Sequence, residues 1–500
     1  MKHIKHVING QQIDSESGRV FNSINPATGA VCAEVAFGTV DDVEHAVQSA
    51  KRAFESGAWS NMSPVERSQR MRAVARLITE RLEEIALLET EDTGKPLAVS
   101  RSDVAAAASV FDYFSQLPEH AFGKSYPDDA GFHTYSSREP YGVVAAIVPW
   151  NFPFMLGVWK VAPALAVGNS VVIKMAEETP MSINQFALIC LEAGIPPGVV
   201  NVVHGDGPTT GNALVVHPSV PKISFTGSTT VGSKIVHASA ESFKSLHLEL
   251  GGKCPNIVFS DCDQDQALAG SLFTSFFNTG QICTSGSRLL VQESIAEAFV
   301  ERLVERARNL VVGDPMQEKT QIGPLVSKAH FERVMRHVEL GNSSGATLRC
   351  GGKAPDLVGL KNGSFISPTI FSGVNPDMQI AQQEIFGPVL SVLTFKDEDE
   401  AIAIANNSIY GLAATVWTSE LGRALRVAKR IEAGIIWTNC PHHGKWSVPY
   451  EGHKASGSGE DLGMEAISTF TKLKVNYINY GGSRMEWGMP LGNIKSTSES

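Results

Sequence analysis

From Tyr141 onward, apolar residues fall into short unbroken runs separated by longer stretches with helical spacing. GVVAAIVPW reads as a buried strand, FMLGVWKVAPALAVGN as a helix ending at a glycine, and SVVIKM as the next strand. SINQFALICLEAG then predicts a helix closed by Gly194, VVNVVHG a strand, GNALVVH a short helix, ISFTG a strand, TTVGSKIVHASAES a helix and LHLELGG a strand. Repeated β-α units predict a mainly parallel sheet with helices on both faces. Ahead of them, Asp41 to Lys95 reads as largely helical, with Arg- and Glu-rich faces toward solvent. A second α/β series starts near Asn256: strand NIVFS, a helix from Ala267 to Asn278, strand SRLLVQ, a helix from Ile295 to Leu310, and strands VLSVLTF, LAATVWT and AGIIWTN. Two alternating segments, GFHTYSSREPYG and FTKLKVNYINYGG, fit neither series and predict strands paired outside the main bodies. The end, IKSTSES, reads as a loose tail.

Length and composition sharpen this picture. A chain of 500 residues exceeds what one hydrophobic core usually supports, so at least two cores are expected. Its 43% hydrophobic and 19% charged residues are those of an ordinary globular protein. Seven irregularly spaced cysteines include no C-x-x-C pair, which points to free thiols in a reducing compartment. MKHIKHVINGQQIDSE has no apolar core of signal-peptide length, and prolines and glycines interrupt the tract from Tyr141 to Ile173 well short of a membrane span. A cytoplasmic location is therefore expected. A formal charge of -10 without a Lys/Arg block offers no footprint for nucleic acid or an anionic membrane, leaving small molecules and copies of the chain as partners.

Five stretches carry candidate chemistry. FTGSTTVG lies where a strand becomes a helix, and amides there can bind phosphate, although G-x-T-x-x-G is not the usual dinucleotide fingerprint and a plain turn with a cap reads the same. In VVIKMAEETP, Lys174 and Glu177 follow a strand end. A carboxylate there can take both ribose hydroxyls and repel a 2′-phosphate, favouring NAD over NADP; a surface ion pair is the alternative. PWNFP stiffly positions the Asn151 amide, as an oxyanion donor or as turn chemistry. Glu249 ends the buried run of LHLELGG, where it either pairs with a cation such as Lys253 or keeps a raised pKa as a general base. In NTGQICTSGSR, Cys283 sits in a small-residue turn where amide and thiolate can both face a ligand. Cys32, Cys190, Cys262 and Cys350 read as small buried apolar residues, while Cys254 and Cys440 remain open.

Taken together, DTGKPL (Asp92 to Leu97), PWNFP, KMAEETP, FTGSTTVG, LELGGK, GQICTSGSR, EIFGPV and YEGHKASGSG make the chain resemble the NAD(P)-dependent aldehyde dehydrogenases over nearly its full length. The resemblance implies an α/β fold: a Rossmann-type NAD-binding domain (1–120 and 142–252), an α/β catalytic domain (253–452), a small β oligomerisation element (121–141 and 465–485) and a C-terminal tail (486–500). It implies Cys283 as nucleophile, Glu249 as general base and Asn151 as oxyanion donor together with the Cys283 backbone amide. Lys174 and Glu177 would hold the adenosine ribose, Gly227 and Ser228 the pyrophosphate, Glu384 the nicotinamide ribose and Phe386 the nicotinamide face, with Trp150 also in the cofactor site. Thiolate attack on an aldehyde, oxidation to a thioester and hydrolysis by Glu249-activated water would follow, with local dipoles and bound cofactor favouring the thiolate. A homodimer or homotetramer and no metal are implied.

Substrate positions map onto Phe111, Phe152, Trp159, Ile282, Thr284, His443 and Tyr450, with the loop Asn439 to Trp446. An aromatic or general aldehyde is expected first. Phe152, Trp159 and Tyr450 could instead box a quaternary ammonium, as in betaine aldehyde dehydrogenases, and His442, His443 and Lys445 would suit a polar ω-semialdehyde. A CoA-acylating relative would typically lack a base at the Glu249 position, and a non-catalytic relative would tolerate its loss. PYEGHKASGSGED departs from the usual pattern at Tyr450, Glu451, Glu460 and Asp461, the last standing where the family often has a proton-shuttling glutamate; Thr230 and Met175 depart as well.

Overall fold

The computed structural model describes residues 2–128 and 131–481, so the expected tail 486–500 and the last part of the second ribbon segment, 482–485, lie outside the described residues. Strands Val143–Val148 and Ser170–Met175 are buried at every position, as expected for parallel strands covered on both faces. They anchor an eight-stranded sheet in the order Gly457–Ser458, Ser245–Glu249, Lys222–Thr226, Val143–Val148, Ser170–Met175, Val200–Val202, His6–Ile8, Gln11–Ile13. The five strands from Ser245–Glu249 to Val200–Val202 run parallel. Alternation along one strand feeds two cores. Val144, Ala146 and Val148 join the helices Pro64–Glu80, Leu97–Ser115, Pro153–Ala166 and Met181–Glu192, whereas Val143, Ala145 and Ile147 join Val40–Glu55 and Thr229–Ser239. Chain order reverses between Val143–Val148 and Lys222–Thr226, and the crevice at the carboxyl ends of such strands is where open α/β sheets take ligands.

The second series forms a seven-stranded sheet in the order Thr347–Cys350, Thr369–Ser372, Val389–Phe395, Arg288–Gln292, Pro255–Val258, Ala413–Trp417, Ile435–Thr438, parallel except at the first strand. Helices Gln264–Phe276 and Ala296–Arg308 pack on one face and Lys328–Ser343, Glu398–Asn406 and Leu421–Arg430 on the other. The helix expected over Ala267 to Asn278 ends two residues sooner, because Asn278 and Thr279 take left-handed backbone with φ of 49° and 58°. The two odd segments pair: Phe132–Pro140 lies antiparallel to Thr471–Asn479 along its full length. All seven cysteines are free thiols, although Cys32 and Cys262 are only half-buried rather than core residues. No described helix is long and apolar enough to cross a membrane.

Candidate active site

Three neighbouring strands of the first sheet end on three of the predicted stretches. Val143–Val148 runs into Pro149, Trp150 and Asn151; Lys222–Thr226 runs into Gly227 and Ser228; Ser245–Glu249 ends on Glu249 itself. Ser228 caps the helix Thr229–Ser239, its hydroxyl accepting from the Val231 N–H at 3.3 Å, so the helix start faces the crevice. Lys174 is buried rather than a surface partner, with Nζ 3.4 Å from Glu177 Oε2, and burial lowers its pKa. The adjacent Glu178 lines the crevice, its carboxyl pushed up to about 6 by burial and by neighbouring Glu177.

The second body delivers the cysteine. After the left-handed turn at Asn278 and Thr279 comes Gly280 at φ 71°, where a Cβ would stand 2.3 Å from the Gly387 carbonyl oxygen, so only glycine fits. The turn is tied to the first body. Asn278 Nδ2 donates to the Asn151 carbonyl at 3.1 Å, Asn151 Nδ2 donates to the Gln281 carbonyl at 3.2 Å, and Gln281 Oε1 accepts from the Val326 N–H at 2.9 Å. Cys283 itself is half-buried, with Sγ 3.6 Å from Tyr450 Oη. The local dipoles do not lower its thiol as expected. Burial pushes it up to about 12, Glu249 adds to the rise, and the Tyr450 hydroxyl opposes it.

Two cavities meet at Thr226 and Cys283. The smaller, about 330 Å³, is lined by Trp150, Asn151, Gly227, Ser228, Glu384 and Phe386, all predicted cofactor or oxyanion residues, and by Glu178, His330 and Arg333. A Cβ on Gly251 would lie 2.6 Å from Glu384 Oε2, Glu384 Oε1 accepts from the Gly252 N–H at 2.9 Å, and burial raises the Glu384 pKa. Phe386 holds φ 60°; its ring lies 5.2 Å from Trp150 and its carbonyl 2.7 Å from His330 Nε2. A glycine floor, a helix start and the carboxylates of Glu178 and Glu384 suit a dinucleotide. Lys174 and Glu177 stand outside this lining.

The larger cavity, about 660 Å³, is lined by Phe152, Trp159, Ile282, Thr284, His443 and Tyr450, six of the seven predicted substrate positions. Phe111 does not reach it. That ring is wholly buried in the helical core, 5.8 Å from Phe186 and edge-on to it. The sequence left Trp437, Phe273 and Phe277 unassigned, although all three line the wall. Glu249 is 4% exposed and does not pair with Lys253: its Oε1 has no hydrogen-bond partner among the described residues, and neither has Lys253 Nζ. Burial raises the Glu249 pKa well above the usual range, and Asp461 raises it further.

Comparison with known proteins agrees with this geometry. The Aldehyde dehydrogenase family model matches residues 13–476. The betaine aldehyde dehydrogenase of Vibrio vulnificus is 42% identical over 482 residues, 96% of this chain and 99% of the relative. Human mitochondrial aldehyde dehydrogenase is 43% identical over 470 residues, 93% of this chain and 90% of the relative. Among solved structures, an indole-3-acetaldehyde dehydrogenase in complex with NAD+ superposes with a TM-score of 0.94 at 41% identity, covering 96% of this chain and 97% of that one.

Proposed function

The chain belongs to the aldehyde dehydrogenase family, and from that premise we propose that it oxidises an aromatic or other apolar aldehyde to the carboxylic acid through a Cys283 thioester hydrolysed by Glu249-activated water. The observation that carries this reading is the meeting of two cavities at Cys283: one suited to a dinucleotide, the other walled by rings. Bound NAD supplies a two-electron acceptor in the smaller cavity. Lys174 and Glu177, beyond that cavity's lining, would hold its adenosine ribose, Gly227 and Ser228 its pyrophosphate, Glu384 its nicotinamide ribose and Phe386 its nicotinamide face.

The protein's own groups divide the remaining work. The Cys283 thiol must lose its proton before attack, and because burial holds it up at about 12, deprotonation is part of the reaction rather than a resting state. Glu249, unpaired and with a raised pKa, has the basicity to take that proton, and later one from water. Attack makes a thiohemiacetal whose oxyanion needs donors. Asn151 uses one amide hydrogen on the Gln281 carbonyl and has a second to offer, beside the Cys283 backbone N–H. Once the substrate is oxidised, a thioester remains on Cys283, and water activated by Glu249 releases the acid. A buried base at this position supports hydrolysis over transfer to coenzyme A.

A cationic betaine-type aldehyde is the second reading. Trp159 sits edge-on to Tyr450 at 5.5 Å and to Trp446 at 6.4 Å, a cluster whose faces could attract a quaternary ammonium. The reaction is tested by mixing the protein with NAD and an aldehyde panel, without coenzyme A, beside Cys283→Ala. NADH formation that vanishes in the variant is expected; NADH that forms only on adding coenzyme A would replace hydrolysis with acyl transfer.

A further inference from the structure

Three buried polar atoms converge at Glu249: His247 Nε2, Glu249 Oε1 and Asp461 Oδ1, each without a hydrogen-bond partner among the described residues. Ligand atoms of these three side chains all lie within 4.8 Å of one another. His247 precedes Glu249 by two residues on one strand, so both point to the same face. Its ring is held from two sides. Ser224, its register partner on the adjacent strand, places Oγ 2.8 Å from Nδ1, and the Phe470 ring packs edge-on at 6.2 Å. Asp461 is pinned by a two-way backbone bridge to Tyr450, at 2.7 and 2.9 Å, and its Oδ2 lies 3.5 Å from Lys160 Nζ. His247 Nε2 stands 3.8 Å from Asp461 Oδ1, too long for a direct hydrogen bond and suited to a bridging water.

The charges facing this cluster choose the occupant. Lys160 and Lys222 act on His247 and Asp461; Asp461 and Glu451 raise Glu249 while Lys160 opposes them; Glu460 acts on Lys222. Burial first, and the two lysines after it, hold the His247 pKa well below its ordinary value, so the ring is neutral. The lysine ammonium at Asp461 already supplies the positive charge a metal ion would bring. A neutral molecule with two donors and an acceptor matches two carboxylate oxygens and one N–H.

We propose that His247 is a positioning residue: with Ser224 fixing Nδ1, its Nε2–H joins Glu249 Oε1 and Asp461 Oδ1 in holding one water, through which the proton taken by Glu249 leaves. The inference rests on the hydrolytic reading above. During hydrolysis the oxygen of the attacking water joins the acyl carbon while one of its protons goes to Glu249. The C–S bond breaks, Cys283 leaves as thiolate, and the acid departs with the other proton. The held water then takes the Glu249 proton as it hands one of its own to Asp461, restoring the base. His247 carries no charge at any stage; it fixes the water's orientation.

An activated ester, p-nitrophenyl acetate, acylates the cysteine directly, so acylation appears as a nitrophenolate burst and hydrolysis as the slower steady release. Loss of one hydrogen bond to a charge-bearing network predicts that His247→Leu slows steady release about tenfold while the burst rate stays within about twofold. His247→Gln, whose amide can donate to the same water, is expected to recover to within about threefold of wild type. Burst and release falling by one common factor, release unchanged in His247→Leu, or His247→Gln as slow as His247→Leu would each overturn the proposal. A high-resolution crystal structure of the wild-type protein reads the same site without variants. An ordered water within hydrogen-bond distance of all three atoms supports it, and a metal ion or no density there sinks it. A wild-type protein that forms no NADH from any aldehyde would instead fault the oxidation reading.

Discussion

Cys283 and Glu249 each occupy a position whose neighbours explain its ionisation. Burial keeps the Cys283 thiol protonated, so only the small thiolate fraction reacts with an alkylating agent, and that fraction grows tenfold per pH unit below the pKa. Iodoacetamide labelling of Cys283, followed by intact mass, should therefore accelerate about tenfold per unit from roughly pH 7 to 10. Tyr450→Phe removes the one hydrogen bond that favours the thiolate, and about threefold slower labelling is expected. A flat pH profile would mean that the thiol is already ionised. Glu249→Gln removes the base but keeps the shape; general-base losses run about 100-fold or more, so steady turnover should fall by that much. Because Glu249 also takes the Cys283 proton, the first turnover should slow too, and NADH release would approach a single turnover per site. Both residues were legible because their immediate neighbours are unusual: a carboxylate at the end of an apolar strand, a cysteine among glycines and serines. His247 and His330 were not, since their partners Ser224, Asp461 and Phe386 are 23, 214 and 56 positions away in the chain. Lys160 did leave a signal, being the single charge in an otherwise apolar helix, and it is completely buried.

At the scale of elements, the period of the apolar pattern decided what could be read. Strands buried on both faces and the helices between them announced themselves, but Val20–Ile24 and Thr347–Cys350 are half-exposed edge strands, and Val31–Ala36, the middle of a small three-stranded sheet, carries little apolar alternation. The ribbon of Phe132–Pro140 and Thr471–Asn479 was legible for the opposite reason: a clean alternation with no core to serve. Leu473, Val475 and Tyr477 share one face of it and are all exposed, while Lys472 and Lys474 occupy the other. An exposed apolar face on a paired ribbon suits an interaction surface, and a second copy of the chain is the partner expected there. Val475→Asp together with Tyr477→Asp puts two charges on that face at little cost to the fold. Light scattering is expected to move from a multiple of 53.7 kDa toward 53.7 kDa itself. A wild-type protein already at that mass would remove the ribbon from any role in assembly.

For the whole molecule, the candidate site lies where the two sheets meet. The first contributes Asn151, Gly227 and Glu249, the second Cys283, Glu384 and Phe386, and the Asn278 and Asn151 side chains bond across the junction. No local pattern encodes that meeting, which is why the wall residues Trp437, Phe273 and Phe277 could not be assigned and why Phe111 was assigned wrongly. The same junction bears on substrate choice. Its larger cavity has rings from both bodies, Phe152 and Trp159 from the first and Phe273, Phe277 and Trp437 from the second, while its carboxyl groups are those of the buried Asp103, Glu249 and Asp461. A flat apolar ring gains from every wall. A quaternary ammonium gains only from ring faces, and the ring pairs around Trp159 are edge-on to one another. An anionic semialdehyde must bring its carboxylate into a cavity that already holds three carboxyl groups; Lys95 pairs with Asp103 and Lys160 with Asp461, which leaves Lys445 as the lysine of the lining for the substrate. The expected order of kcat/KM is therefore benzaldehyde first, betaine aldehyde second and succinic semialdehyde last, each step about tenfold, or roughly 1.4 kcal/mol of transition-state preference. If betaine aldehyde wins by tenfold, the Trp159, Trp446 and Tyr450 cluster works as a cation box, and Trp159→Leu should then cost the cationic substrate far more than benzaldehyde.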